Sequence, residues 1–320
     1  MKKSKFFVMA AGALVAVVTL GGCLSTLSDP LSEETGSIIG FDAASLRNLT
    51  RISDDGIDKA WLTVSRDGQK LLYCEQSAEF NLFANSKRES SRIMYLRDVS
   101  VFAKTPLAES YTYSPAFYEN GTSFVYVLLN QGYTQLVKDS VPGGGRTVIT
   151  SIGQWDNHPS IRESMIACDT YINNQRQIVT LRDNGTGLTI RGPGSQPSWH
   201  PTENKLLFVK DESIWEMDTE TTRQTRLHAV SDNERTEGMW AGSPSYTGDG
   251  NYIVFVKRVK AGFGLRLHLF VMDCEGNNLV ELTTGNIDTW MPTVGAGNRI
   301  FFLSNAGGKI EIWSAFVTLD

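Results

Sequence analysis

One short pattern recurs six times and constrains the fold more than anything else in the chain. In SQPSWHPTENKLLFVK (195–210) a proline and an aromatic residue lead through a polar turn into an apolar run. Pro115-Ala116-Phe117, Pro159-Ser160-Ile161, Pro244-Ser245-Tyr246 and Pro292-Thr293-Val294 open four further copies, leading to SFVYVLL, MIACDTY, YIVFVK and RIFFLS. Leu62-Thr63-Val64 takes the proline's place in the earliest copy, before KLLYCE. The anchor positions 62, 115, 159, 197, 244 and 292 are spaced 53, 44, 38, 47 and 48 apart. A repeat of that length with four strand-sized runs predicts a β-propeller.

Within each repeat we name strands A to D from inside to outside. Strand A is expected to follow the proline, and B is the apolar run. C alternates (SIWEMD, LHLFVMD, IEIWSAF), and D is the outer strand (RTVIT, LVELTTG). Asp-Gly, Asn-Gly and Gly-Asn pairs between A and B supply the positive φ of tight hairpins. Repeat six ends after strand C, whereas SLRNLTRISDDGID (45–58) resembles NNLVELTTGNID (277–288), the outer strand and following loop of repeat five. The N-terminal segment is therefore expected to complete the last blade, removing an exposed sheet edge. The expected fold is all-β: a six-bladed propeller of four-stranded blades over 45–320, the last closed by the N-terminal strand.

The first 22 residues read as a signal peptide. Lys2, Lys3 and Lys5 precede an apolar run from Phe6 to Leu20, which ends in Leu20-Gly21-Gly22-Cys23. That ending resembles the lipobox of bacterial lipoproteins, which implies that Cys23 carries diacylglycerol. Residues 23–44 then form a lipidated flexible tether, rich in Ser, Thr, Glu and Gly. The implied address is the bacterial cell envelope, at the periplasmic face of the outer membrane. Losing three lysines takes the formal charge from −5 to −8, against nucleic acid as a partner. Cys74, Cys168 and Cys274 lie in separate repeats, too far apart to bridge, and read as small packed hydrophobes.

The order Pro-x-aromatic, Asp-Gly or Asn-Gly turn, apolar strand, then IWEMD or LFVMD resembles the TolB-like propeller repeat. LVELTTG (279–285) and the loop to Trp290 and Pro292 match it as well. The resemblance covers essentially all of 45–320 and implies a protein-binding element of the cell envelope. Oligogalacturonate lyases share this type of propeller, and there the resemblance implies a cation held by histidines in the funnel.

No G-x-S-x-G elbow, Walker loop, H-E-x-x-H or C-x-x-C occurs. His158 and His200 fall at different places in their repeats, while His228 lies in a loop and His268 in a strand. They do not form a matching ligand set. Asp58, Asp156 and Asp288 come three or four positions before their anchors and are expected at the channel mouth. There they either hold a structural cation in the central channel or cap the loops entering strand A; no other cofactor is expected. Trp61, Trp155, Trp240 and Trp290 occupy the same stretch, with His158 beside them. Trp61 and Trp290 read as packing between blades, and the other two remain open as an aromatic mouth.

Long loops on the face shared by B–C and D–A connections complete the reading. Glu75 to Arg92 carries Phe80, Leu82 and Phe83. Lys257 to Leu267 carries Lys257, Arg258, Lys260, Phe263 and Arg266, and His228 to Ser243 carries Trp240. Together they form the expected binding face of a monomeric propeller that docks an envelope protein or peptide, touching the membrane through its lipid alone. The alternative is a carbohydrate-active, oligogalacturonate-lyase-like enzyme with a cation in the funnel. If Cys23 carries the lipid, Cys23→Ser abolishes labelling by a fatty-acid probe; normal labelling of that variant would remove the lipoprotein reading.

Overall fold

Short apolar runs broken by polar turns cannot bury themselves alone, and here they do so as six twisted four-stranded sheets packed face to face around an axis. The computed structural model describes residues 41, 46–75, 93–100, 103–108, 112–130, 132–141, 144–150 and 156–317. Cys23, the rest of the tether to 40, Phe80, Phe83 and Trp155 lie outside them.

A first strand, β1 (Leu46–Arg51), precedes blade 1, which contains β2 (Lys59–Val64), β3 (Lys70–Glu75), β4 (Ile93–Asp98) and β5 (Lys104–Ala108). Blade 2 contains β6 (Thr112–Phe117), β7 (Ser123–Asn130), β8 (Tyr133–Ser140) and β9 (Thr147–Thr150). Blade 3 contains β10 (Asn157–Arg162), β11 (Met165–Ile172), β12 (Gln175–Arg182) and β13 (Thr189–Pro193). Blade 4 contains β14 (Ser195–Trp199), β15 (Lys205–Lys210), β16 (Ser213–Asp218) and β17 (Gln224–His228). A short helix, α1 (Asp232–Thr236), leads to blade 5: β18 (Ala241–Tyr246), β19 (Tyr252–Ala261), β20 (Gly264–Asp273) and β21 (Val280–Glu281). Blade 6 has β22 (Thr289–Val294), β23 (Arg299–Ser304) and β24 (Glu311–Val317), and β1 pairs with β24 as its outer strand. The N-terminal closure is as expected.

Two expectations need correction. Strand A does not follow the proline; it begins two or three residues earlier and carries the proline inside it. It tolerates one because it is an edge strand, bulged at that point. Nor is Lys257–Leu267 a loop. It lies within a hairpin of two ten-residue strands, β19 and β20, turning at Gly262-Phe263. Gly262 has φ +59, which suits the first position of a tight two-residue turn.

Between blades the core is aromatic and aliphatic. Trp313, Phe301 and Phe302 of blade 6 pack with Leu71 and Tyr73 of blade 1 and Val254 of blade 5 in one buried cluster. Phe41 extends it, its ring 5.5 Å from Trp313. Each such side chain removed from water contributes about 1.5–3 kcal/mol. Cys74 and Cys168 are buried, Cys274 half-buried, and all three are free thiols.

The seam between blades 6 and 1 is also ionic. Lys59 and Glu311 are both fully buried. The Lys59 ammonium lies 3.7 Å from Glu311 and 3.6 Å from Glu75, and bonds Asp55. Ser53 donates its hydroxyl to Glu311 and accepts from the Ile312 amide at 2.9 Å. Removing one member of such a buried set strands the other charge. Glu311→Ala should therefore cost about 3–5 kcal/mol, while the exposed Asp54→Ala costs less than about 0.5 kcal/mol. Deleting 46–51 should replace the single melting transition by a broad one with aggregation, since it bares the edge of β24. Chemical denaturation and light scattering check both; an unchanged transition in the deletion would show that β1 does not close the ring.

Candidate functional site: the central channel

The residue before each anchor is the same structural device in all six blades. Trp61, Ser114, His158, Gln196, Ser243 and Met291 have φ between 46° and 56°, the left-handed region. Each forms with the next residue a two-residue bulge opposite one residue of the second strand. The opposing residues are Tyr73, Tyr126, Cys168, Phe208, Phe255 and Phe302, all buried. The physical reason lies in the dipeptide. In the five blades that have it, proline disfavours the right-handed helical region for its predecessor and offers no N–H to the ladder, so the strand kinks there, with a buried aromatic, or Cys168 in blade 3, opposite the kink. A non-glycine residue held this way costs about 1–3 kcal/mol.

All six bulge residues line a central cavity of about 660 Å³. Bulging frees their amides from the ladder, and side chains of neighbouring blades serve three of them. Ser243 N donates to Gln196 Oε1 at 2.6 Å, and Gln196 N to Asp169 Oδ2 at 2.7 Å. Trp61 N meets Met291 Sδ at 3.2 Å. Asp169 is fully buried and takes His158 Nδ1 at 2.8 Å and Arg176 Nε at 2.8 Å. Burial pushes its pKa up, but His158, Arg176 and the Gln196 amide outweigh that and hold it below the usual carboxylate value. The bond to Asp169 assigns the His158 proton to Nδ1 and leaves Nε2 for other partners. One part of the wall is thus polar (His158, Gln196, Ser243). Another is apolar: the Trp61 ring lies 5.3 Å from Tyr113 and 5.7 Å from His158, with Met291 and Trp290 on the next blade.

The other expected residues find definite places. Asp288 lines the channel and accepts from the Leu267 amide at 2.9 Å, and Asp58 accepts from the Ile310 amide at 2.9 Å. Each aspartate immediately precedes a strand A; Asp288 clips the third strand of the preceding blade and Asp58 the residue just before that strand, so both cap backbone. Asp156 is fully buried, near Cys168, whose thiol is pushed up first by burial and then by the carboxylates of Asp156 and Asp169. Among the described residues, no three His, Cys, Asp or Glu side chains converge to hold a metal ion. Trp290 and Trp240 line the channel, as does the half-buried Trp61, which is therefore not only packing. Trp155 lies outside the described residues.

The cations expected on the binding face are engaged within the chain. Lys257 pairs with Glu234 at 2.9 Å and Lys260 with Glu237 at 2.8 Å. Arg258 donates to the Gly238 carbonyl at 3.3 Å, and Arg266 to Asn286 at 2.7 Å. They fasten the α1 segment and the following blade to the long hairpin, and Phe263 alone stands fully exposed at its tip. His200 accepts from the amides of Thr202 and Glu203 in a turn, and His268 bridges Glu281 and the Gly285 carbonyl.

His228 supplies a pH test. Burial, then Lys257, lowers its pKa from 6.5 to about 4, and it lies against Phe255 with Nε2 unpartnered. The folded value is below the unfolded one, so the unfolded chain takes up the proton first as pH falls. Stability is then lost progressively from about pH 6.5 to about pH 4. His228→Phe, which keeps the ring contact, should flatten that part of a plot of unfolding free energy against pH. An unchanged slope would exclude His228 as its source.

The sequence matches no protein-family model and no curated protein. The fold does have solved counterparts. The putative TolB from Agrobacterium tumefaciens aligns with TM-score 0.61 at 12% identity, over 85% of this chain and 97% of that one. TolB from Acinetobacter baumannii aligns with TM-score 0.54 at 14% identity, over 79% and 78%. An oligogalacturonate lyase in complex with manganese aligns with TM-score 0.52 at 12% identity, over 87% and 95%. At these identities the likeness is one of fold: a six-bladed propeller similar to that of TolB and of the lyases.

Proposed function

We propose that this propeller is a lipid-anchored docking module of the bacterial cell envelope, binding a protein or peptide partner at the mouth of its central channel. The observation that carries the reading is the channel itself. Six strained bulges, one from each blade, aim side chains of mixed character at a single cavity. Aromatic anchors beside a few polar groups in one concavity are what a docking site needs. The negative charge fits a protein partner better than nucleic acid. The lipobox at Cys23 supports an anchored address at the periplasmic face of the outer membrane, and the likeness to TolB propellers supports an envelope role. The protein acts as a monomer and needs no cofactor for docking.

A second reading, a carbohydrate-active enzyme of the lyase kind, draws on the His158–Asp169 pair in the channel wall and on the lyase's fold. A buried carboxylate behind a histidine is an arrangement for proton transfer. One pair of measurements separates the two readings. Cross-linked envelopes are captured on the anchored protein and on a Trp61→Ala/Met291→Ala variant, and both are incubated with oligogalacturonate. Docking predicts that a partner captured by the wild type is lost from the variant, and that no unsaturated sugar forms. Undiminished capture by the variant would place the contact elsewhere, and sugar cleavage abolished by His158→Ala would establish the enzyme.

A further inference from the structure

The chain joins the ring from one particular face. Phe41 forms an antiparallel bridge with Thr283, just past β21. At Thr283 the outer strand of blade 5 is heading for the face shared by the B–C and D–A connections. The chain at Phe41 therefore runs the other way, and its N-terminal side points to that face. The Phe41 ring fixes the entry, packed on Phe302 and Trp313 at 6.0 and 5.5 Å. Cys23 stands 18 positions earlier, a span of at most about 60 Å. A lipid on Cys23 thus sets a bilayer within that distance, on the side to which Phe41 points.

The blade 5 hairpin projects from the same face. Its strands are ten residues long, against eight in blades 2 and 3 and six in blade 4. At about 3.3 Å per residue, Phe263 stands roughly 7 to 13 Å beyond the corresponding turns. It is the most exposed large apolar side chain among the described residues, and the other exposed aromatics, Tyr133 and Tyr171, also lie at B–C turns. Behind the tip, Arg258 and Arg266 bond the Gly238 carbonyl and the Asn286 carboxamide, neutral groups that leave the charge in place. Lys309, in the B–C turn of blade 6, is more than half exposed and 3.9 Å from Asp58. Blade 4 presents Asp211 and Glu212 at its turn, but its shorter strands hold them behind Phe263. On the opposite face, five of the six A–B turns carry an acid: Asp67, Glu119, Glu163, Glu203 and Asp249, with Glu119 and Glu203 in ion pairs.

A projecting phenyl ring with cations behind it suits a boundary that is apolar within and anionic at its surface. An acidic protein would answer the cations equally, but the direction of the chain at Phe41 selects the bilayer, which the lipid brings to this face. We infer that the blade 5 hairpin rests on the membrane, Phe263 entering the headgroup boundary and Arg258, Arg266 and Lys309 facing lipid phosphates. The inference rests on the anchored part of the docking reading. It adds a contact between protein and lipid, and it leaves the channel mouth on the A–B side to the partner.

The test places the lipidated protein in phosphatidylcholine vesicles with and without phosphatidylglycerol. A fluorophore is attached at Ala261→Cys, beside the tip, or at Asn120→Cys, in an A–B turn. Both are made in a Cys274→Ser background, since Cys74 and Cys168 are buried. A lipid-borne nitroxide is expected to quench the label at 261 and spare that at 120, more so with phosphatidylglycerol present. Phe263→Ser, and separately Arg266→Gln/Lys309→Gln, should each lower the ratio of quenched to unquenched label at 261 roughly tenfold. Should the double variant melt lower than the wild type, Lys309→Gln alone takes its place. Equal quenching of the two labels in protein that floats with the vesicles overturns the hairpin contact and leaves the anchor standing. Quenching at 261 that neither variant reduces does the same. A label at 261 that becomes shielded in detergent as protein concentration rises assigns the tip to a second copy, which also overturns the contact. Wild-type protein that fails to float removes the lipoprotein reading, and the inference with it.

Discussion

The structure depends on one backbone device repeated six times, a two-residue bulge in each innermost strand, with proline as its second residue in five of the six. A ladder cannot continue through a residue without an N–H, and the right-handed region is disfavoured for the residue before it. The bulge resolves both restrictions at once. It also does three things for the rest of the molecule. It places an aromatic or thiol side chain of the second strand under the kink, fixing register; it turns one side chain per blade toward the axis; and it frees amides that adjacent blades then satisfy. Blade-to-blade cohesion and the lining of the channel therefore share a cause. Blade 1 keeps the bulge with Leu62 in place of proline, which shows that the surrounding packing enforces it there.

Closure is the second constraint, and it works differently. The five other blades are continuous in sequence, but blade 6 must recruit β1 from the opposite end of the chain. Apolar burial alone would leave that contact as slippery as any edge pairing. The buried Lys59–Glu311 pair, with Ser53 and Glu75 around it, has a demanding geometry that a slipped register would break. Buried ion pairs add little net stability, yet one wrong alignment strands a charge in the interior. The clasp thus favours one closure over its neighbours.

The electrostatics of the long blade 5 hairpin follow the same economy. Four basic residues that a linear reading assigns to a partner are held by Glu234, Glu237, the Gly238 carbonyl and Asn286. Lys257, Lys260 and Arg258 keep the segment bearing Trp240 against the ring, so their contribution to the site is indirect: they position one wall of the channel.

The sequence by itself determined the number of blades, the strand-sized runs and the closing partner, because these follow from local periodicity, turn chemistry and similarity between distant segments. It also pointed to Asp288, His158 and Trp290, which line the channel, since equivalent positions in a closed repeat must be equivalent in space. It did not reveal Gln196, Ser243 or Met291, although the signal, one residue ahead of every anchor, was present. Nothing about a glutamine, a serine or a methionine marks it as left-handed until the ladder beside it is known. Nor could it tell that Lys257 and Lys260 pair with acids of the α1 segment. Those assignments depend on which side chains meet across blades, and that was decided only when the ring closed and each strand edge acquired its neighbour.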